Sequence, residues 1–368
     1  MKDLKKDLKF WISARFLLNT GSILFLALFI WYAENHFNPY IIRVLNTAAI
    51  YITAAVSYNL INGVTGQFSL GPNGFMALGG FMVALLVLPV PQKQMVYFLE
   101  PLIWPFNSFS LPQGLFVLAL IAAGLVATIG AFLIGFPCLR LRGDYLAIAT
   151  FGFGEIIFVL ANNLIRVTNG ALGIKGIPEY STLWWTWGCA VFAVIVIRNL
   201  VNSSYGRALR AIREDEIAAE AMGVNVFYHK MLAFAVSAFF AGVSGGLLAT
   251  LITTVSPSLF MFTMTFNLLI IIVLGGLGST TGATVTAVIF AFLQELLREV
   301  EAPIDIGPIH LPGVAGMRMV VFSILLVLLM LFYRRGLFGR REFSWDWLIT
   351  KLGKRGVGKW TPSKMGSA

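Results

Sequence analysis

The chain has 368 residues, 58% of them hydrophobic and only 12% charged, with a mean hydropathy of +0.82. That balance excludes a soluble globular domain and fits a polytopic membrane protein. The net charge is +10, but the basic residues sit at the chain ends and in short connections. That is the pattern of cytoplasmic membrane flanks and not of a nucleic-acid surface.

The basic start, residues 1–15, reads as a cytoplasmic N-terminal segment with Lys2, Lys5, Lys6, Lys9 and Arg15. An apolar run from residue 16 follows it without a small-x-small cleavage site, so it is expected to stay as a first span and not to leave as a signal peptide. A bilayer crossing needs about 20 apolar residues. By that measure ten spans are expected: 16–33, 41–61, 74–90, 114–137, 144–162, 183–198, 231–252, 259–275, 282–297 and 317–333. The third, eighth and ninth are short and edged by glycine, the pattern of broken or re-entrant segments. Together the ten form one permease domain, 16–333, followed by a basic cytoplasmic tail, 334–368, suited to anionic lipid.

Placing both termini inside puts 21 Lys and Arg in the inner segments and four in the outer loops, Lys93, Arg166, Lys175 and Arg298. This is the bias that sets membrane orientation. Ten spans divide into two halves of five with opposite orientation, the arithmetic of an inverted repeat. The expected fold is therefore all-α and polytopic, with two inverted five-helix halves and some helices short or broken.

Four segments carry polar chemistry. Residues 63–74 contain Gly66, Gln67, Ser69, Gly71 and Asn73. They read either as a broken helix lining a solute path or as an ordinary loop before a tight helix crossing at Gly79 and Gly80. Glu155 lies inside an apolar run beside Gly152 and Gly154. An intramembrane carboxylate marks a functional site by default, and a structural carboxylate bonded to a neighbouring helix is the alternative. Asp144, beside Arg140 and Arg142, reads as an interfacial ion pair and helix cap. Asn162, Asn163, Thr168, Asn169 and Gly170 form an outer patch that either meets solute or is plain loop.

The fourth segment is the charged loop 199–230. Ser203 to Glu220 predicts one short Ala-rich helix ending at Met222-Gly223, with Glu214, Asp215 and Glu216 early in it. A compact helix with small residues fits a groove on a partner, and a solvated loop is the alternative. In the tail, Gly353 to Lys359 matches G-x-x-x-x-G-K, but Trp360 stands where a phosphate loop needs Ser or Thr. With two cysteines, Cys138 and Cys189, and three separated histidines, neither a disulfide framework nor a metal site is expected. No catalytic constellation is present, so the chain does not read as an enzyme.

Several blocks resemble the permease subunits of ABC importers for branched-chain amino acids. They are Gly66 to Gly71 with Gly74 to Gly80, Leu139 to Ile148 with Gly152 to Ile157, Ala218 to Asn225 with Lys230 to Phe234, Ser237 to Gly242, and Gly275 to Ser279. The block Leu139-Arg140-Leu141-Arg142-Gly143-Asp144-Tyr145 is similar to the LivM-type subunit more than to its LivH-type partner. The segment Thr168 to Gly173 departs from the family's usual glycine-rich pattern, and urea or short-chain amide importers use closely similar permeases.

The resemblance implies a partner set: a second homologous permease, two cytoplasmic ATP-binding subunits, an extracytoplasmic solute-binding protein and membrane lipid. It implies no cofactor on this chain, because ATP is bound by the partners. The location implied is the bacterial inner membrane. Glu214, Asp215, Glu216, Ala219, Glu220, Met222 and Gly223 would couple to the ATPases. Gly66, Gln67, Ser69, Gly71, Asn73 and Glu155 would belong to the translocation path. A secondary transporter driven through Glu155 or Asp144 is the competing reading, and a Gly-lined channel a further one.

Overall fold

The computed structural model describes residues 2–141, 143–298, 304–306, 309–311, 316–332, 336–339 and 342–343. Most of the basic tail, with its G-x-x-x-x-G-K segment, and Arg142 lie outside the described residues. The chain divides into two units. One, residues 1–37 with 342–368, contributes helix α1 (Lys2–His36). Residues 38–341 form the other unit.

That second unit opens with α2 (Pro39–Asn59), which begins on Pro39 and runs without a stop into a π-helical turn, Leu60–Val64. Residues 65–71 then run irregularly to α3 (Pro72–Val87), again started by proline. Proline suits a first helical turn, where its missing N–H would have no partner. The chain bends by 120° into the short α4 (Val90–Val96). The next long elements are α5 (Phe116–Cys138) and α6 (Asp144–Asn163). A one-turn α7 (Ile165–Thr168) leads to a two-residue strand, β1 (Ile174–Lys175), and then to α8 (Leu183–Asn202). Two short helices follow, α9 (Ser204–Glu214) and α10 (Glu216–Ala221). Next come α11 (Val226–Ile252), β2 (Thr254–Val255), α12 (Phe262–Gly275) and α13 (Thr280–Leu296). A hairpin of β3 (Ile304–Ile306) and β4 (Ile309–Leu311) and a last helix, α14 (Met317–Phe332), close the list.

Every expected span falls on a helix. Among the described residues, six helices are long and apolar enough to cross a membrane, or seven if α3 and α4 count as one bent span. The short ninth span is the 17-residue α13, which falls below that length. The protein is therefore an all-α polytopic membrane protein.

The centre of the bundle is α2 and α11, whose apolar residues are mostly covered by other helices, whereas α5, α6 and α8 leave much of theirs outward. Small residues let α3 and α11 cross at backbone contact. A Cβ at Gly79 would run into the backbone of Gly242, and one at Gly245 into that of Met76. Such approach is the usual way for helices to associate in lipid. β1 pairs antiparallel with β2, Ile174 opposite Val255, and so ties the chain after α6 to the end of α11. The charged loop departs from expectation. It is two helices and not one, because Asp215 adopts an extended conformation (φ −157°, ψ 115°) between them. Its carboxylate accepts the N–H groups of Ile217 (2.9 Å) and Ala218 (3.0 Å), so a capping residue starts a new helix. Glu214 consequently ends the first helix and Glu216 begins the second.

Candidate functional site

The polar residues gather at the two ends of the bundle and at its mid-depth. At the end that carries α9 and α10, Ser203 caps α9 by accepting the N–H of Gly206. Gly223, at φ +84°, turns the chain out of α10, a conformation that favours glycine. Asn225 then caps α11 by accepting the N–H of Tyr228 at 3.0 Å. The buried Lys230 of α11 pairs with Glu216 at 2.8 Å and holds α10 against the bundle. Of the residues expected to meet a partner, Ala219 is buried and Glu216 is engaged inward, while Glu220 and Met222 point outward with Ile217. Met222 is 85% exposed and Ile217 is 68% exposed, so the tip of the loop is apolar.

Just above this loop, two interruptions of the helical bundle meet. One is the π-turn at 60–64 with the segment after it. The other is the turn at 276–279 between α12 and α13. A Cβ on Gly63 would run into the backbone N of Gly278. Asn59 bridges them: its Oδ1 accepts the N–H of Gly278 at 2.9 Å, and its Nδ2 donates to the carbonyl of Ser279 at 3.1 Å. Arg213 of α9 donates to the carbonyl of Gly63 at 3.0 Å and pairs with Glu214 at 2.7 Å. The two glycine-rich segments that the sequence assigns to opposite halves are therefore neighbours.

Residues 65–71 are held by specific bonds. The hydroxyl of Tyr58 donates to the carbonyl of Ser69 at 2.6 Å, and the N–H of Ser69 donates to Asn62 at 3.2 Å. Gly71 lies on Thr150, whose carbonyl would be 2.7 Å from an added Cβ. Gln67 is buried, and neither end of its amide has a hydrogen-bond partner among the described residues.

Asn73 joins α3 to the start of α12. It donates to the carbonyl of Phe260 at 3.2 Å and accepts from Thr265 at 3.1 Å. Gly154 of α6 packs on its side chain, 2.9 Å from Oδ1 to an added Cβ, whereas Gly152 faces open space. The tight packing expected at the two glycines beside Glu155 thus holds for Gly154 alone. Glu155 is half-buried and has no hydrogen bond or ion pair among the described residues. The cap of α6 is Gly143 at φ +60°, and Arg140 lies over the ring of Phe136 at 4.7 Å. The helix begins at Asp144, whose side chain, with the ion pair and cap expected of it, lies outside the described residues.

At the opposite end, a half-open cleft of about 240 Å³ lies between α2, α11 and α12. Arg43, Thr47, Tyr51, Thr263 and Asn267 supply polar groups, and Leu248, Leu251, Ile252, Leu259 and Met264 supply apolar wall. Arg43 makes no ion pair among the described residues. Nearby in the fold, the expected outer patch is mostly occupied with itself. Thr168 donates to the carbonyl of Ala161 at 2.6 Å and Asn169 to that of Gly173 at 2.8 Å. Asn162 and Asn163 bond back to their own helix. In the loop expected to lie outside, Lys93 is 1% exposed and donates to the carbonyls of Phe106 (2.7 Å) and Phe109 (2.6 Å). Burial draws its pKa from 10.5 down to about 8.

Residues 40–333 match the family described as branched-chain amino acid transport system / permease component. The chain belongs to this permease family. The permease is 35% identical over 285 residues to the high-affinity branched-chain amino acid transport system permease protein LivM of Salmonella typhimurium. It has the same identity over the same length to the LivM of Escherichia coli K12. Each match covers 68% of this chain and 62% of the relative, so the chain spans about 62% of the length of those proteins. A probable branched-chain amino acid transport permease protein LivM of Methanocaldococcus jannaschii is 23% identical over 195 residues, covering 50% and 56% of the two chains.

Three residues of the permease's site escape a reading of the sequence: Asn59, Arg213 and Lys230. Each is a polar residue at a helix end, where polar residues are ordinary. The one available signal is Lys230, a cation placed directly before the apolar run of α11.

Proposed function

We propose that this chain is one transmembrane subunit of an ATP-driven importer for branched-chain amino acids in a bacterial inner membrane, with both termini in the cytoplasm. A second homologous permease completes the pathway. Two cytoplasmic ATP-binding subunits bind the coupling helices of the two permeases, one of them on α10, and a solute-binding protein delivers to the cleft at the opposite end. The chain itself holds no cofactor; ATP stays on the partner subunits.

The observation that carries this reading is the apolar-tipped helix α10, held to the bundle by the buried Lys230–Glu216 pair. A solvated loop has no need of a buried ion pair, a capped break at Asp215 or an outward Met222. A docking knob needs all three, because a partner can shift the permease between two states only through an element rigidly joined to it. Ile217, Glu220 and Met222 then face the ATPase. Glu214, Asp215, Glu216, Ala219 and Gly223 shape and hold the knob. Gly66, Gln67, Ser69, Gly71, Asn73 and Glu155 belong to the path. Gln67 and Glu155 supply its unpaired polar groups, and the others set the course of the backbone.

The cleft suits a small zwitterion with an apolar side chain: a cation for the carboxylate, hydroxyls and an amide beside it, and a wall of Leu, Ile and Met. The names of the relatives support the same substrate class.

The test is purification of the assembled complex and reconstitution into liposomes. Recovery of two ATPases and a second permease, with ATP-dependent leucine uptake, is the expected result. Uptake of urea or acetamide in place of leucine would assign the chain to the amide importers. Recovery of this chain without ATPases would overturn the proposal. In that event the second reading, a carboxylate-coupled transporter, is favoured by the unpartnered Glu155. Its mark is uptake driven by a proton gradient and lost in Glu155→Gln.

A further inference from the structure

We propose that Arg213 is the positioning residue through which the docking loop grips both helix interruptions at once. The inference rests on the importer reading and names the contact by which movement of α9 reaches the pathway.

The geometry around Arg213 is unusual for an arginine near a membrane surface. Its side chain is 18% exposed, and among the described residues one carboxylate, that of Glu214, is paired with it. One guanidinium nitrogen donates to the carbonyl of Gly63, which belongs to the π-turn. Its Nε is buried with no hydrogen-bond partner among the described residues. The methylene stem lies where Gly66 would carry a side chain, with Cβ and Cδ of Arg213 3.2 and 3.3 Å from an added Cβ. The second interruption is equally close: a Cβ on Gly278 would sit 3.3 Å from the Arg213 guanidinium and 3.1 Å from the Gly63 carbonyl. Asn59 completes the joint from the membrane side, binding Gly278 and Ser279 from the end of α2.

These contacts have a mechanical meaning. Gly66 and Gly278 both have positive φ, at +71° and +90°, and both leave room that the arginine occupies. In this π-turn the carbonyls of Leu60 and Ile61 accept the N–H groups of Thr65 and Gln67, while the Gly63 carbonyl takes the arginine as an outside donor. An arginine presents several donors in a fixed fork, so a shift of its backbone is passed to whatever the fork holds. When α9 moves, the Gly63 carbonyl follows, and Asn59 couples that turn to 278–279. One side chain on one short helix thereby addresses an interruption from each half of the permease.

Two measurements test this, one on the chain alone and one on the complex. In the isolated permease, Arg213→Gln should raise hydrogen–deuterium exchange about tenfold or more in both 60–66 and 276–279, while α9 itself stays protected. A rise confined to 60–66, or no rise, overturns the joint grip. In the assembled complex, Arg213→Gln should retain ATPase subunits and ATP hydrolysis, while solute moved per ATP falls at least tenfold. Arg213→Lys should restore part of that ratio, because its ammonium still reaches one carbonyl but lacks the fork. Gly66→Ala, which displaces the stem without touching the charge, should reproduce the loss. An unchanged ratio in both Arg213→Gln and Gly66→Ala overturns the proposal. Complexes lacking ATPases overturn the importer reading instead, whatever the exchange experiment gives.

Discussion

Removing either partner of the Lys230–Glu216 pair should loosen the docking helix, but by unequal amounts. The side chain of Lys230 is 6% exposed and that of Glu216 is 27% exposed. In Glu216→Gln the ammonium stays buried and loses its counter-charge, keeping at best a neutral acceptor. Uncompensated buried charges cost about 3–5 kcal/mol, and the remaining amide and partial exposure of the site reduce this to about 2 kcal/mol. In Lys230→Met the buried charge is gone, the stem volume is kept, and Glu216 turns to water. An exposed half-pair costs about 0.5–1 kcal/mol. At about 1.4 kcal/mol per decade, the first change opens the local structure about 30-fold more often and the second about two- to fivefold. The assay is hydrogen–deuterium exchange of the Ile217–Ala221 amides in detergent-solubilised protein. Removing both charges, in Lys230→Met with Glu216→Leu, should fall near the single Lys230→Met. A Lys230→Met effect as large as that of Glu216→Gln would refute the argument, because it would mean that the pair's attraction outweighs the cost of a bare buried cation.

Other expectations follow from single sites. Gly223→Val meets no neighbour, since nothing lies within 4 Å of an added Cβ, but φ +84° costs a β-branched residue about 1–2 kcal/mol. The chain should insert normally while ATPase binding weakens, which co-purification reads directly. Gly245→Val forces α11 off the backbone of Met76 and should lower the yield of folded protein and its melting temperature, by about 1–3 kcal/mol of stability. Arg43→Gln should raise the KM for leucine uptake about tenfold or more with little change in the ATPase rate, because it removes the cation from the cleft. Lys93 should titrate near pH 8. Its folded pKa lies below its unfolded value, so between about pH 8 and 10.5 the unfolded chain binds more protons and stability rises with pH. A pH series of thermal unfolding on wild type and Lys93→Gln measures that slope, which should vanish in the variant.

The sequence by itself determined where the helices lie. Apolar runs long enough to span a bilayer leave few alternatives, because backbone polar groups in lipid must be satisfied within the helix. The family was legible in the same way, from short motifs at helix ends such as Gly66 to Gly71 and Ala218 to Gly223. The break at Asp215 was present as a capping residue, yet it competed with a strong Ala-rich helical pattern on both sides. Only the folded chain decides that such a cap wins.

What the tertiary structure alone decided is which polar groups meet. Gly63 and Gly278 are more than 200 residues apart, and Arg213 reaches both across three elements of the bundle. Glycine at a positive φ records that the backbone turns, not what fills the space it leaves. Asn59, Arg213 and Lys230 are ordinary residues at helix ends until packing buries them. Glu155, which a sequence marks as costly wherever it stands, remains without a partner among the described residues. Local periodicity carries the first kind of information, and contacts between distant segments carry the second.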